Sequence, residues 1–573
     1  MFDTLQRWVR QAQSTVKALD ANFAWDPKSR ETIPLALARW AEESPSDPFV
    51  HFEGRWWNVG EFDGKTNRLA RLWADRGLRR GDVVAVMMGN HIDYLLNFYA
   101  LAKLGVVVAL INPALRDAAL EHAIGSSRAR AVLVDDESEA TLAAAGWAQA
   151  GPPRERADSL HRHASDFEAS TLPSVEHLRL GDVAAYIYTS GTTGLPKPAI
   201  VKHHRLWRGG AVFGGMIQLT RDDTLYCCLP LYHANASVIA APVAITHRAR
   251  FALAPRFSAS RFWRECAEVE ATAFIYVGEL LRYLVNRDPG SDEREHGVTK
   301  ILGNGLSSDL WPTVRERFGI ERIGEYYAAT EGNAETMNLF NRDARMGPML
   351  PWKMAVVRWD SSTEDIERDA NGRGHRTLPD EPGLLIGKIS ARNEYAGYTD
   401  EKASKRKVLR DVFKRGDAWF NTGDLVSYDK LLHLRFVDRL GDTFRWKSEN
   451  VSTTEVCASL NEYPGVLEAC VYGVNVPGHE GRAGMAALVV DGELDEEAFF
   501  AHVAARMPRY AMPRFLRRVD SLEVTGTFKL RKQSLQREGF TDRGTDTLWI
   551  WDSAAARYRR LDEAPTPDEL AAL

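Results

Sequence analysis

Disulfide staples, thiolate zinc clips and membrane-spanning helices are all absent from what this chain can build. Its five cysteines are odd in number and include no Cys-x-x-Cys pair, which argues against a disulfide framework or a zinc site and for a reducing cytoplasm. Cys227 and Cys228 are adjacent in an apolar run and read as small core residues. The longest apolar run, Leu104 to Ile111, falls far short of the roughly 20 residues a spanning helix needs. The opening MFDTLQRWVRQAQ scatters charges where a secretory signal would be apolar. Any membrane contact is therefore expected to be peripheral, from the inner surface. A net charge of −5 gives no case for nucleic-acid binding. With 45% hydrophobic and 26% charged residues the composition is that of a globular protein, and 573 residues exceed one core, so two or more lobes are expected.

What is present centres on Ala184 to Lys202, AAYIYTSGTTGLPKPAIVK: an apolar strand, a loop of glycines and hydroxyls, and a second strand. Gly191 and Gly194 permit positive φ and bring backbone N–H groups close to a ligand. Thr189, Ser190, Thr192 and Thr193 add hydroxyl donors, and Lys197 adds a mobile charge. This is not the P-loop of the common nucleotide-binding proteins, because Pro196 and Pro198 flank the lysine and disfavour a helix there. The residues alone leave open a plain polar hairpin turn. Upstream, Val83–Met88 reads as a strand, Asp93–Leu104 as a helix capped by Gly105, Val106–Ile111 as a buried strand, and Ala131–Val134 as the next strand after a second helix ending near Ile124. That alternation predicts an α/β fold with mostly parallel sheets. Residues 140–179 are weakly patterned and read as a variable surface segment. His203, His204 and Arg205 could suggest a metal, but adjacent side chains on a strand point to opposite faces, so the histidines read as a solvated pair.

TSGTTGLPK resembles the phosphate loop of the adenylate-forming superfamily, and longer phrases from about Trp56 to the end are most similar to its fatty acid transport protein and very-long-chain acyl-CoA synthetase family. The resemblance implies a large N-terminal lobe of layered α/β subdomains, residues 1–438, and a small mobile C-terminal α+β domain, residues 439–573, hinged near Gly441. In CCLPLYHANA, His233 matches the position beside the carboxylate substrate and α-phosphate, though a satisfied structural histidine is the alternative. ILGNGLS, with Gly303, Asn304 and Gly305, and GEYYAATEGN, with Tyr326 and Tyr327, are similar to the adenine-binding wall; Thr330 is implied to touch the α-phosphate and Glu331 to hold Mg2+. Ala328 stands where the family usually has Gly.

Further on, Asp424 of WFNTGDL matches the acceptor of the ribose hydroxyls, and Arg439 of FVDRLGDTFRWKSENV a ribose and phosphate contact. Gly441 occupies the hinge position, and Ser448 departs from the expected WKGEN glycine beside the path of the thiol. Lys529 of VTGTFKLRK matches the lysine that catalyses adenylation; composition alone would call it one more surface lysine. AFIYVGELLRYL, Ala273 to Leu284, resembles a segment bordering the acyl pocket, or is an ordinary core strand and helix; the basic run from Lys402 to Arg415 reads first as a solvated helix face. The implied activity is an ATP-dependent, AMP-forming fatty acyl-CoA synthetase that activates long or very-long-chain carboxylic acids through an acyl-adenylate, using ATP, Mg2+ and CoA. The alternatives are a fatty acyl-AMP ligase serving a separate carrier protein and a lipid-uptake or binding protein with little turnover.

Overall fold

The computed structural model describes residues 9, 12, 13, 16, 26–144, 151–190, 195–360, 363, 365–440, 442–446, 449–477, 479, 481–524, 530–542, 544–552, 555–571 and 573. The chain divides into two compact units, one of residues 1–305, 313–342 and 389–408, the other of residues 306–312, 343–388 and 409–573.

Among the described residues the first unit contains two sheets. In one, Val83–Met87 is central and pairs in parallel with Val107–Ile111 and Ala131–Val134, each fully buried as two covered faces require. The intervening helix Ile92–Leu104 starts where the His91 side chain accepts the Asp93 N–H and stops at Gly105, whose φ of 73° reverses the chain. At one edge lies an antiparallel hairpin of β1 (Val183–Ser190) and β2 (Pro196–Lys202), with Thr189 opposite Lys197 and Ser190 opposite Pro196. β2 is the last strand in the sheet order, and an edge is where prolines such as Pro196 and Pro198 are tolerated.

The chain then enters helix α1 (His203–Met216), which corrects the reading of His203 and His204 as a solvated strand pair. Their backbone N–H groups donate to Asp182 and Leu180 carbonyls, and His203 is fully buried. Burial pushes the His203 imidazole down to about 4 and that of His204 to about 3. The second sheet has eight strands; its interior neighbours run parallel, among them β3 (Lys300–Asn304) and β4 (Arg322–Ala328), and its two edge pairs are antiparallel. Residues 140–179 also differ from expectation: Arg154–Arg156 extends the first sheet, and Ala157–Ala164 is a helix whose His161 pairs with Asp93 at 2.9 Å.

In the second unit, Ala418–Tyr428 pairs antiparallel with Gly383–Lys388 on one side and with β5 (His433–Arg439) on the other. Beyond β5, helix α2 (Thr453–Asn461) leads into a five-stranded sheet, and helix α3 (Lys532–Glu538) packs on its first strand, Val466–Val474. Trp446, Tyr472, Phe499, Phe515 and Tyr558 fill that core. Glu496–Arg506 is a helix beside that core, begun where the Asp495 side chain accepts the N–H groups of Glu497 and Ala498. The basic run is helical only over Glu401–Arg406. Among the described residues, no helix is long and apolar enough to cross a membrane.

Candidate active site

Parallel strands deliver their C-terminal ends to one rim of a sheet, and the loops there carry the chemistry. The tip of the β1–β2 hairpin, Gly191, Thr192, Thr193 and Gly194, lies outside the described residues, but its flanks do not. Thr189 is the penultimate residue of β1, the backbone of Ser190 ends it, and Lys197 is half-buried on β2. A strap from residues 397–399 runs along the β2 edge. The Ile200 N–H donates to the Gly397 carbonyl at 2.9 Å, and the Thr399 N–H to that of Pro198 at 3.1 Å. Tyr398 packs in a cluster with Ala199 and Ala403.

The strap also grips the acidic loop. The Tyr398 hydroxyl donates to Glu331 Oε1 at 2.8 Å, and the Gly397 N–H to the Glu331 carbonyl at 3.1 Å. From the other side Arg205 of α1 donates to the carbonyls of Gly332, at 2.5 Å, and Ala329, at 3.0 Å. Thr330 and Glu331 are thereby fixed at the middle of a clamped turn. Burial pushes the Tyr398 phenol up, reinforced by the Glu331 charge, so it remains a hydrogen donor at neutral pH. The hairpin flank and Glu331, far apart in sequence, are thus tied together through one tyrosine.

Gly303 and Asn304 end β3, and Gly305 follows it. A Cβ at Gly303 would lie 2.2 Å from the Tyr276 carbonyl oxygen, and Gly305 has φ +81°. Glu325 of β4 accepts the Gly305 N–H at 2.6 Å and the Tyr276 hydroxyl, which fixes that turn. Tyr326 stacks on Phe213, centroids 4.4 Å apart, and its hydroxyl donates to Asn235 Oδ1 at 2.9 Å. Asn235 in turn donates to Asn304 Oδ1 at 2.9 Å. Tyr327 is nearly buried and lies on the opposite face of β4. Asn235 opens a π-helix, Asn235–Ala240, that begins two residues after His233; such widened turns recur at functional sites. Asn90 secures the approach to His233 by accepting the Leu231 N–H at 2.8 Å and donating to the carbonyls of Leu229 and Ala254.

In the second unit Asp424 and Arg439 are cross-strand partners, Arg439 Nε lying 3.2 Å from Asp424 Oδ1. Asp424 is buried, and its N–H donates to Thr422 Oγ1 at 3.1 Å. Gly441, Ser448 and Lys529 lie outside the described residues.

Sequence reading missed Asn235, Glu325 and Tyr398, and named Arg205 beside the histidine pair without its role. The signal that could have found Glu325 and Tyr398 was present: a carboxylate inside a buried strand and a tyrosine after glycine. Arg205 and Asn235 had none. Among the described residues no group of three His, Cys, Asp or Glu side chains could hold a metal by itself. A lone carboxylate such as Glu331, half-buried and held in place, nevertheless fits Mg2+, which keeps waters and takes most of its oxygens from nucleotide phosphates.

The layered α/β architecture is that of the adenylating enzymes. It superposes on ATP-bound MatB from Rhodopseudomonas palustris with a TM-score of 0.75 at 22% identity, covering 88% of this chain and 98% of that one. With o-succinylbenzoate CoA synthetase (MenE) from Bacillus subtilis, bound to its acyl-adenylate, the TM-score is 0.70 at 23% identity, covering 87% and 97%. Residues 37–373 match the AMP-binding enzyme family and residues 455–529 its C-terminal domain. This chain belongs to that family, in the branch of the fatty acid transport proteins and very-long-chain acyl-CoA synthetases. It is 40% identical to a medium/long-chain-fatty-acid–CoA ligase of Mycobacterium tuberculosis over 91% of this chain and 88% of the relative. It is 39% identical to long-chain fatty acid transport protein 2 of Rattus norvegicus over 93% and 89%.

Proposed function

We infer that this chain is an ATP-dependent, AMP-forming fatty acyl-CoA synthetase. The observation that carries the reading is the Tyr398 tie between the hairpin flank and Glu331, inside a chain alike over nine-tenths of its length to a fatty-acid–CoA ligase. A carboxylate is a poor acyl donor because its leaving group would be oxide. Attack of a carboxylate oxygen on the α-phosphorus of ATP forms the acyl-adenylate and expels pyrophosphate. A thiolate of CoA then attacks the acyl carbon and AMP leaves.

The chain's own part is positioning and charge stabilisation. Thr189, Ser190, the loop from Gly191 to Gly194 and Lys197 hold the outer phosphates. Thr330 contacts the α-phosphate, and His233 lies beside the acid. Gly303, Asn304, Gly305 and Tyr327 form the adenine wall, Tyr326 braces it from the opposite face of β4 through Asn235, Asp424 receives the ribose hydroxyls, and Arg439, paired with Asp424, contacts ribose and phosphate. Lys529 supplies positive charge during adenylation. Bound with the nucleotide at Glu331, Mg2+ would add neutralising charge on the phosphates. The domain boundary near residue 438 and the hinge at Gly441 belong to the same proposal, as does peripheral contact with the inner face of a membrane.

The test is AMP release across carboxylic acids, with and without CoA, and product mass. Long acyl chains should release AMP only with CoA and yield acyl-CoA. Acyl-adenylate accumulating whether or not CoA is present would instead mean an acyl-AMP ligase, and no AMP with any acid a binding protein. Lys529→Ala should abolish most ATP–pyrophosphate exchange; full exchange would refute the lysine's role.

A further inference from the structure

Helix α1 opens against its own dipole. Lys202 stands at its N-cap, His203, His204 and Arg205 fill its first turn, and no acidic residue is there, although cations are unfavourable at a helix N-terminus. Arg205 is half-buried and spends its guanidinium on main chain: Nη1 donates to the Gly332 carbonyl at 2.5 Å and Nη2 to the Ala329 carbonyl at 3.0 Å. Those two carbonyls bracket Thr330 and Glu331. The Ala329 carbonyl also accepts the Gly332 N–H at 3.2 Å, so the chain turns back on itself between them. One turn further along α1, Arg208 pairs with Glu335 and holds the far end of the same loop. Burial pushes the Arg205 guanidinium down and the Glu331 charge opposes that shift, so the side chain keeps its charge at any working pH.

This grip sets a direction as well as a place. The Ala329 carbonyl and the Thr330 N–H belong to one trans peptide unit, in which the two point opposite ways. Holding the carbonyl against α1 therefore turns the Thr330 N–H away from it. Among the described residues neither that N–H nor the Thr330 hydroxyl has a hydrogen-bond partner, and Thr330 is half-buried. A loop packed for stability alone would satisfy such donors inside the protein. An N–H so directed, with a hydroxyl on the same residue, suits an anionic oxygen. A guanidinium bound to the carbonyl also polarises the peptide and strengthens its N–H as a donor.

We propose that Arg205 is a positioning residue for adenylation: by holding the Ala329 and Gly332 carbonyls it directs the main-chain N–H of Thr330 at an oxygen of the α-phosphate. The proposal rests on the acyl-CoA synthetase reading, which puts that phosphate at Thr330. Its test is calorimetry with AMP and with adenosine, which share base and ribose and differ by that phosphate. Arg205→Lys keeps the charge but not the planar fork that spans two carbonyls. It should lower the ratio of AMP to adenosine affinity about tenfold, the size of one hydrogen bond to a charged group, with adenosine affinity unchanged. The kcat of ATP–pyrophosphate exchange should fall at least as far. Arg205→Gln, which removes the charge as well, should lower the ratio further, and it decides the matter if the lysine variant does not fold. A wild-type ratio in Arg205→Lys, or AMP and adenosine weakened equally in either variant, or an unchanged exchange rate, would overturn the proposal. A wild-type protein that binds neither AMP nor adenosine would instead overturn the synthetase reading beneath it.

Discussion

Tyr398→Phe deletes one oxygen atom and tests what the strap does for Glu331, the proposed cation ligand. The ring should stay packed against Ala199 and Ala403, so stability is expected to change little. What is lost is the 2.8 Å hydrogen bond to Glu331 Oε1. Hydrogen bonds to charged groups contribute about 1.5–3 kcal/mol, and the partial exposure of Glu331 places this one at about 1.5. At about 1.4 kcal/mol per factor of ten, adenylation should fall about tenfold. The carboxylate would keep its charge but lose its fixed direction, so the Mg2+ concentration for half-maximal ATP–pyrophosphate exchange should rise as kcat/KM for ATP falls. Exchange measured across a Mg2+ titration, with thermal melting as the control for folding, reads both. Unchanged rate and Mg2+ dependence in a folded variant would refute the reasoning.

Gly303→Ala would drive a methyl group to 2.2 Å from the Tyr276 carbonyl and 2.6 Å from its ring; a loss of about 3 kcal/mol in urea unfolding is expected, together with weaker AMP binding by calorimetry. Asn235→Leu removes the bridge between Tyr326 and Asn304 and should raise the KM for ATP about tenfold, at a cost of one or two hydrogen bonds, with little effect on the KM for the acid. His203 titrates near 6.5 when unfolded and at about 4 when folded. The unfolded chain therefore binds the proton first, and stability that is complete above pH 6.5 drains away as pH falls toward 4. At pH 5 the loss from this residue is about 2 kcal/mol. Urea unfolding of wild type and His203→Leu at pH 7.5 and 5.0 should show the smaller pH effect in the variant, and equal slopes would rule the assignment out.

Local pattern carried much of the fold into the sequence. The strand, helix and Gly105 cap around residues 83–111 follow from apolar spacing and one left-handed position. The hairpin flanking the phosphate loop follows from β-forming residues around glycines. The histidine pair failed because nothing local marks the switch from β2 to α1 at Lys202; distant carbonyls of Leu180 and Asp182 set where those residues go. Arg205 and Asn235 were illegible for a related reason, since their partners lie 69 to 127 residues away. A polar side chain declares its purpose only when its partner is known. Asp424 and Arg439 were readable as separate motif members, while their pairing needed the strand register.

Because residues 389–408 return to the first unit after the chain has left it, the grip on Glu331 closes late in synthesis. A ribosome that has released residue 380 has already made the hairpin and the acidic loop, yet not the tyrosine that joins them. Truncations ending before the strap should therefore fold much of their sheets while leaving Glu331 without its Tyr398 hydrogen bond.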